Sequence, residues 1–271
     1  MKKTIFTLQK QKDKQEKITM ITAYEYSSAK VLDQLGVDMI LVGDSLGMVV
    51  QGYEDTLSVS IDDMIYHSKA VARGVKDAFV VADLPFMSYQ TSVEDALKNS
   101  ARLIKEGRAN AVKLEGGLEY IPHIKAITKA GIPVMAHLGL TPQFVNVLGG
   151  YKVQGKDEFG AKQILQEAKE AQNAGAFAVL LECVPKELGK KITDDLNVPV
   201  IGIGAGKHCD GQVLVWHDIL GFNLDFKPKF VKTFANVSEG IKAYIKEVKE
   251  GTFPDEKHSF STSEEVLKKI Y

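Results

Sequence analysis

Phe79-Val80-Val81-Ala82-Asp83 is an unbroken apolar run that stops on an acid. Apolar residues without polar alternation mark a strand covered on both faces, as in a parallel sheet. Such a strand has no structural use for a carboxylate at its end, because burying one unpaired is costly. The pattern returns elsewhere: Met39-Ile40-Leu41-Val42-Gly43 runs into Asp44, Ala111-Val112-Lys113-Leu114 into Glu115, and Ala178-Val179-Leu180-Leu181 into Glu182. Parallel strands would bring these four acids to one mouth, where they suit a divalent metal site and an acid/base.

Outward from these runs, strand-like segments recur at 18–24, 39–44, 79–85, 111–116, 133–139, 178–184, 198–204 and 212–216. Helical stretches separate most of them. Ser60 with Asp63 and Ser92 with Asp95 have the form of a capping box, and each precedes a segment of 3.6 period, at 61–73 and 93–106. Gly74 and Gly107 stand where C-terminal caps belong. A further helix is expected over 160–174, stopped by Gly175. Strands alternating with helices over this length have the rhythm of a (β/α)8 TIM barrel. A doubly wound open sheet is the alternative. The barrel is preferred because it brings the acids of strands two, three, four and six to a single face. The link between strands seven and eight is too short for a regular helix.

The 271 residues are 45% hydrophobic and 25% charged, the balance of an ordinary globular chain. One domain over 1–271 is expected, with an N-terminal arm over 1–17 and a C-terminal helical extension over 237–271. The arm is read as solvated or loosely docked. A net charge of -1 offers no field to draw in nucleic acid or a membrane surface. Two cysteines without a CxxC pair exclude a disulfide scaffold and a cysteine-rich zinc module, and fit a reducing cytoplasm. No apolar run approaches the roughly 18 residues of a membrane span, and the N-terminus does not read as a signal peptide.

At the mouth, Gly43 and Gly47 let the backbone turn tightly around Asp44, and Ser45 adds a hydroxyl and an amide beside it. Pro85 stiffens the exit after Asp83. Lys113 and Glu115, two apart on one strand, point to the same side. A cation beside carboxylates suits a bound anion plus a metal, and all-oxygen ligands favour Mg²⁺. The plainer reading pairs each acid with a lysine or a helix cap. Glu182, flanked by apolar residues, is the candidate general base, since desolvation would raise its pKa as a base requires; a structural salt bridge is the alternative. Cys183 reads as a core thiol, His137 as hydrogen-bonded structure at the end of strand five, and His67 and His217 as structural or peripheral. Ile201-Gly202-Ile203-Gly204-Ala205-Gly206 is GxGxG rather than the dinucleotide fingerprint. In a barrel it suits a tight loop that lets a ligand approach the backbone.

These segments, together with Thr22-Ala23-Tyr24, Asp83-Leu84-Pro85-Phe86-Met87-Ser88-Tyr89, Val112 to Gly117, His137-Leu138-Gly139-Leu140-Thr141-Pro142-Gln143 and Cys209 to Val215, resemble the ketopantoate (3-methyl-2-oxobutanoate) hydroxymethyltransferase family across nearly the whole chain. Ala136 and Ser58 depart from the family pattern without replacing a chemical group. The resemblance implies a TIM-barrel enzyme of pantothenate biosynthesis. It would move a hydroxymethyl group from 5,10-methylenetetrahydrofolate to 3-methyl-2-oxobutanoate, giving 2-dehydropantoate. It implies one Mg²⁺ per subunit held by Asp44 and Asp83, with Glu115 adjoining directly or through water. Asp44, Ser45, Asp83 and Lys113 would form the oxoacid site, and Glu182 would be the base. It also implies a cytoplasmic homo-oligomer, a decamer, with small molecules rather than nucleic acid or membrane as partners. Two rivals remain on the sequence alone. One is another Mg²⁺-enolate barrel of the phosphoenolpyruvate mutase and isocitrate lyase type; members resembling isocitrate lyase carry a Cys-Gly-His loop, which this chain lacks. The other is a non-catalytic anion-binding barrel, which would gain nothing from strand-end acids.

Overall fold

The computed structural model describes residues 2–223 and 227–270. Met1 and Tyr271, the outermost residues of the expected arm and extension, lie outside the described residues. Eight parallel strands close into a barrel in chain order. They are β1 Ile18–Thr22, β2 Met39–Val42, β3 Phe79–Asp83, β4 Ala111–Glu115, β5 Val134–Gly139, β6 Ala178–Glu182, β7 Val200–Ile203 and β8 Gly211–Leu214. The helices are α1 Ile5–Asp13, α2 Tyr26–Gln34, α3 Leu46–Val49, α4 Ile61–Gly74, α5 Val93–Lys105, α6 Ile121–Lys129, α7 Val145–Leu148, α8 Glu158–Asn173 and α9 Lys186–Asp195, followed by α10 Trp216–Leu220, α11 Val237–Glu250 and α12 Glu264–Leu267. As expected, no helix joins β7 to β8.

The chain forms two compact units. The larger comprises residues 1–216 with 229–231, and the smaller 217–228 with 232–271. In the larger unit the segment read as an arm is mostly helical. Thr4 caps α1, Leu8 is buried with the lumen residues, and Lys12 Nζ pairs with Asp210 Oδ2 at 2.7 Å. This segment is therefore docked rather than solvated. In the smaller unit, α11 starts at the cap Asn236, whose side chain accepts from the Ser238 amide, and stops at Gly251.

Two apolar layers make the barrel. Ile18, Met20, Met39, Leu41, Phe79, Val81, Ala111, Met135, Ala178, Leu180, Ile201 and Val213 fill its lumen. Residues of the other parity, such as Ile40, Val80, Val112 and Ala136, pack outward with the residues of α2, α4, α5 and α6, and Val179 and Val200 with those of α8 and α9. Because side chains alternate along a strand, the lumen parity continues upward from apolar to polar. Phe79 and Val81 lead to Asp83, Ala111 to Lys113 and Glu115, Met135 to His137, and Ala178 and Leu180 to Glu182. Strand register sets these groups side by side: Asp83 opposite Lys113, and Glu115 opposite His137.

The helix starts follow their caps. Ser60 and Asp63 form the reciprocal capping box of α4. Ser92 accepts from the Asp95 amide at 3.0 Å, but the Asp95 carboxylate turns to the Thr91 hydroxyl at 2.6 Å. The second box is therefore half made, because the neighbouring Thr91 offers a competing donor. Gly74 is the last residue of α4 rather than a cap beyond it. Packing explains its glycine, since a Cβ there would meet the Tyr26 carbonyl at 2.6 Å.

Candidate active site

Asp83, Lys113, Glu115 and His137 are all at most 3% exposed and share the upper lumen. Lys113 Nζ lies 3.2 Å from Asp83 Oδ2, 3.8 Å from Glu115 Oε1 and 3.0 Å from His137 Nδ1. It is the one buried Lys or Arg among the described residues. Burial alone would lower its pKa, but the carboxylates of Asp83, Glu115 and Asp44 outweigh that and hold it well above the ordinary lysine range. The ammonium is therefore permanent at any physiological pH.

Asp44 lies two residues past β2, at the turn into α3. Its amide donates to Asp83 Oδ2 at 3.1 Å. That approach needs Gly43, where a Cβ would sit 2.8 Å from Ser45 Oγ and 3.5 Å from Asp83 Oδ2. Burial, and next the charge of Glu115, push Asp44 up to about 7. Burial pushes Asp83 up to about 8 against the pull of Lys113, and burial raises Glu115 also. Three buried acids share a single ammonium, so without a further cation they tend to keep protons, and a bound cation would favour their ionised forms. Ser45 is partly exposed, its hydroxyl 2.8 Å from the Tyr24 hydroxyl. His67 Nδ1 lies 2.6 Å from the Tyr24 carbonyl oxygen, which makes His67 structural.

Glu182 sits at the rim, with its side chain 16% exposed and Oε2 3.1 Å from His137 Nε2. Its apolar neighbours do not enclose it, because Leu180 lies in the lumen layer below and Leu181 points outward to the layer of α8 and α9, while the carboxylate faces the mouth. His137 joins the two halves of the site. An ammonium can only donate, so Nδ1 accepts from Lys113 and the ring proton belongs on Nε2, the nitrogen beside Glu182. That nitrogen has no well-aligned acceptor here; the 3.1 Å approach is off the line of a straight hydrogen bond. Burial, and next the Lys113 charge, push the ring down to about 4, so it stays neutral.

The donor set suits a hard divalent cation. Asp83 Oδ1 is buried with no hydrogen-bond partner, and the paired carboxylates of Asp44 and Asp83 lack enough positive charge. Among the described residues no three His, Cys, Asp or Glu side chains form a ready-made cage. Mg²⁺ needs none, since it commonly takes one or two carboxylates and fills its octahedron with water and substrate. Glu115 Oε1 is turned toward His137 Nδ1 at 3.3 Å, and its Oε2 accepts from the Gln143 amide at 2.9 Å.

The structure thus brings Asp44, Ser45, Asp83, Lys113, Glu115 and Glu182 to one end of the barrel. Two features were not legible beforehand. Gln143, in the turn after β5, and Tyr89, in the loop after β3, are buried among the acids. Cys183 adopts a left-handed φ of 46° immediately after Glu182. Gln143 and Tyr89 each end a segment that carries the family resemblance, but nothing local in the sequence sets either of them against the acids. The glycine loop after β7 admits the chain's own side chains: Gly204 faces Cys183 and Phe230, and Gly206 faces Lys186.

A family model described as ketopantoate hydroxymethyltransferase matches residues 2–256. The 3-methyl-2-oxobutanoate hydroxymethyltransferase of Clostridium novyi (strain NT) is 60% identical over 275 residues, covering 100% of both chains. That of Enterococcus faecalis (strain ATCC 700802 / V583) is 58% identical, again over 100% of both. Among solved structures, a phosphonopyruvate hydrolase in complex with oxalate and Mg²⁺ superposes with a TM-score of 0.64 at 15% identity, covering 99% of this chain and 94% of its own. A 2,3-dimethylmalate lyase of the PEP mutase/isocitrate lyase superfamily superposes at 0.62 and 14%, covering 100% and 92%. At these identities the two share the fold.

Proposed function

The chain belongs to the ketopantoate hydroxymethyltransferase family and is a hydroxymethyltransferase; from that premise we propose how its barrel mouth works and which donor and metal it uses. The acceptor is 3-methyl-2-oxobutanoate, the donor 5,10-methylenetetrahydrofolate and the product 2-dehydropantoate. The observation that carries the site reading is Asp83 Oδ1, a buried carboxylate oxygen without a partner, beside the one buried ammonium among the described residues.

Asp44 and Asp83 would hold Mg²⁺, with Glu115 adjoining directly or through water. When bound, the ion supplies Lewis acidity that acidifies the carbon next to the oxoacid's carbonyl. The phosphonopyruvate hydrolase that shares the fold was solved with oxalate and Mg²⁺, in keeping with such a site. Lys113 neutralises the anionic acceptor and stabilises negative charge as it develops on the substrate's oxygen; a preorganised charge in a dry site acts strongly there. Ser45, held by Tyr24, offers a hydroxyl to the same substrate. Glu182 takes the C3 proton from the rim, where substrate reaches it. His137, neutral and protonated on Nε2 3.1 Å from Glu182 Oε2, would align on that carboxylate once substrate is bound, while its other nitrogen accepts from Lys113. The enolate carbon then forms a bond to the donor's methylene carbon as both C–N bonds of the methylene bridge break; water supplies the new hydroxyl, and tetrahydrofolate leaves, its two nitrogens taking up the C3 proton and one proton from the water.

The proposal includes a cytoplasmic homo-oligomer, the decamer of the family resemblance. No helix among the described residues is long and apolar enough to cross a membrane. Ile241, Tyr244, Ile245 and Val248 of α11 are exposed apolar surface that assembly would cover. The test of function is a transfer assay with 3-methyl-2-oxobutanoate, 5,10-methylenetetrahydrofolate and Mg²⁺, read by mass spectrometry of the product. Formation of 2-dehydropantoate that stops with a chelator and returns with Mg²⁺ supports the proposal. Transfer indifferent to the metal, or none from this donor, refutes it.

A further inference from the structure

Gln143 is 3% exposed and lies amid the acids of the mouth without being one of them. Its Nε2 donates to Asp44 Oδ2 at 2.7 Å and to the Leu84 carbonyl at 2.9 Å. Both are acceptors, which fixes the amide's orientation and uses both of its hydrogens. Its Oε1 accepts from Gln90 Nε2 at 3.0 Å and from the Tyr89 hydroxyl at 2.9 Å. Tyr89 shares its one proton with the Glu115 carbonyl oxygen at 2.7 Å and accepts from the Glu115 amide at 3.1 Å. The Gln143 backbone amide holds Glu115 Oε2 at 2.9 Å. One buried residue from the turn after β5 therefore grips the exits of β2, β3 and β4, and every polar atom of its side chain is used.

The consequence lies in which oxygens are left. Asp44 Oδ2 is occupied by Gln143, so Oδ1 is the oxygen available to a cation. Glu115 Oε2 is occupied too, so Oε1 turns to Lys113 and His137. We infer that Gln143 is a positioning residue of the active site, which fixes the rotamers of Asp44 and Glu115 and so presets the metal and oxoacid pocket. It touches no reacting atom. A glutamine suits the task where a glutamate would not: an oxygen in place of Nε2 would face two acceptors with no hydrogen to share. Outer partners that orient metal ligands are typically worth about 10–100-fold in metal affinity.

The inference rests on the reading of Asp44 as a metal ligand, and the experiment separates the two. Mn²⁺, a paramagnetic stand-in for Mg²⁺, is titrated by electron paramagnetic resonance into wild type, Gln143→Met, Gln143→Glu and Asp44→Ala, with and without 3-methyl-2-oxobutanoate. Thermal unfolding and the separate kcat and KM for the oxoacid are measured alongside. Gln143→Met keeps the side chain's length and removes its hydrogen bonds. It is expected to stay folded, bind Mn²⁺ about 10–100-fold more weakly, and lose kcat as well as raise KM. Gln143→Glu is expected to be worse in both, and it decides the matter if the methionine variant does not fold. Wild-type Mn²⁺ affinity in a folded Gln143 variant, with binding lost in Asp44→Ala, overturns the positioning role and leaves the site reading standing. Wild-type affinity in Asp44→Ala overturns the site reading, and this inference with it.

Discussion

Lys113 shows how much of the site hangs on single residues. Its ammonium is buried with Asp83, Glu115 and His137 within 3.8 Å. Removing one member of a buried charged group leaves the others uncompensated, at a cost of about 3–5 kcal/mol. Lys113→Ala is therefore expected to lose about that much stability by urea denaturation and to bind the oxoacid weakly by calorimetry. Lys113→Arg is expected to rescue poorly, because a planar fork does not fit the space of a compact ammonium. Wild-type stability and affinity in Lys113→Ala would remove it from the site. Cys183 gives a pH-dependent counterpart. Burial, and next the charge of Glu182, push its thiol from 9.0 up to about 12. The fold thus favours the protonated thiol. This contribution to stability is fully present below pH 9 and is lost as pH rises toward 12. At pH 8 the thiol of the native protein is expected to resist iodoacetamide, while the urea-unfolded chain is alkylated readily. Rapid labelling of native Cys183 at pH 8 would show an activated thiol instead of an inert one.

At the scale of elements, the strand bodies were legible because each is a local pattern: a short apolar run that the barrel covers on both faces. Their ends were read too long. Tyr24, Leu84 and Gly116 follow the last paired residues of β1, β3 and β4, and at these points the chain turns into the loops that build the mouth. Caps were legible where the hydrogen bonds are reciprocal and local, as with Ser60 and Asp63, and half legible at Ser92, where Thr91 competes for Asp95. Ser60→Ala is expected to cost about 1 kcal/mol. Asp63→Ala should cost a similar amount, and the double variant less than the sum, since both act through one capping box. Full additivity in urea denaturation would show that the two caps act independently. The identities of the site acids were legible, because a carboxylate ending a buried strand stands out in any reading. Their partners were not. Gln143 and Asp44 are 99 residues apart in the chain, and the contact of His137 with Glu182 depends on β5 and β6 being neighbours in a closed sheet. Nothing local marks such pairs. The leucines beside Glu182 do not seal it for a related reason: alternation along β6 sends Leu181 to the outer face and leaves Leu180 one layer below.

For the molecule as a whole, the barrel converts sequence-distant strand ends into one mouth. Its lower lumen is closed by apolar side chains and by Leu8 of α1, so chemistry is confined to the upper end. There, three buried carboxyls and one ammonium stand beside the rim carboxylate Glu182, the set proposed to draw a proton from a carbon acid. That claim can be tested apart from the folate half-reaction. The measurement is exchange of the C3 proton of 3-methyl-2-oxobutanoate with D₂O, followed by proton NMR with Mg²⁺ present and no folate. Wild type is expected to catalyse exchange. Glu182→Gln keeps size and hydrogen bonding but cannot take the proton, and is expected to be slower by about 10²–10⁴-fold while its Mg²⁺ and oxoacid affinities stay at wild-type values. Exchange at the wild-type rate in Glu182→Gln would contradict the assignment of the base and point to a different group at this mouth.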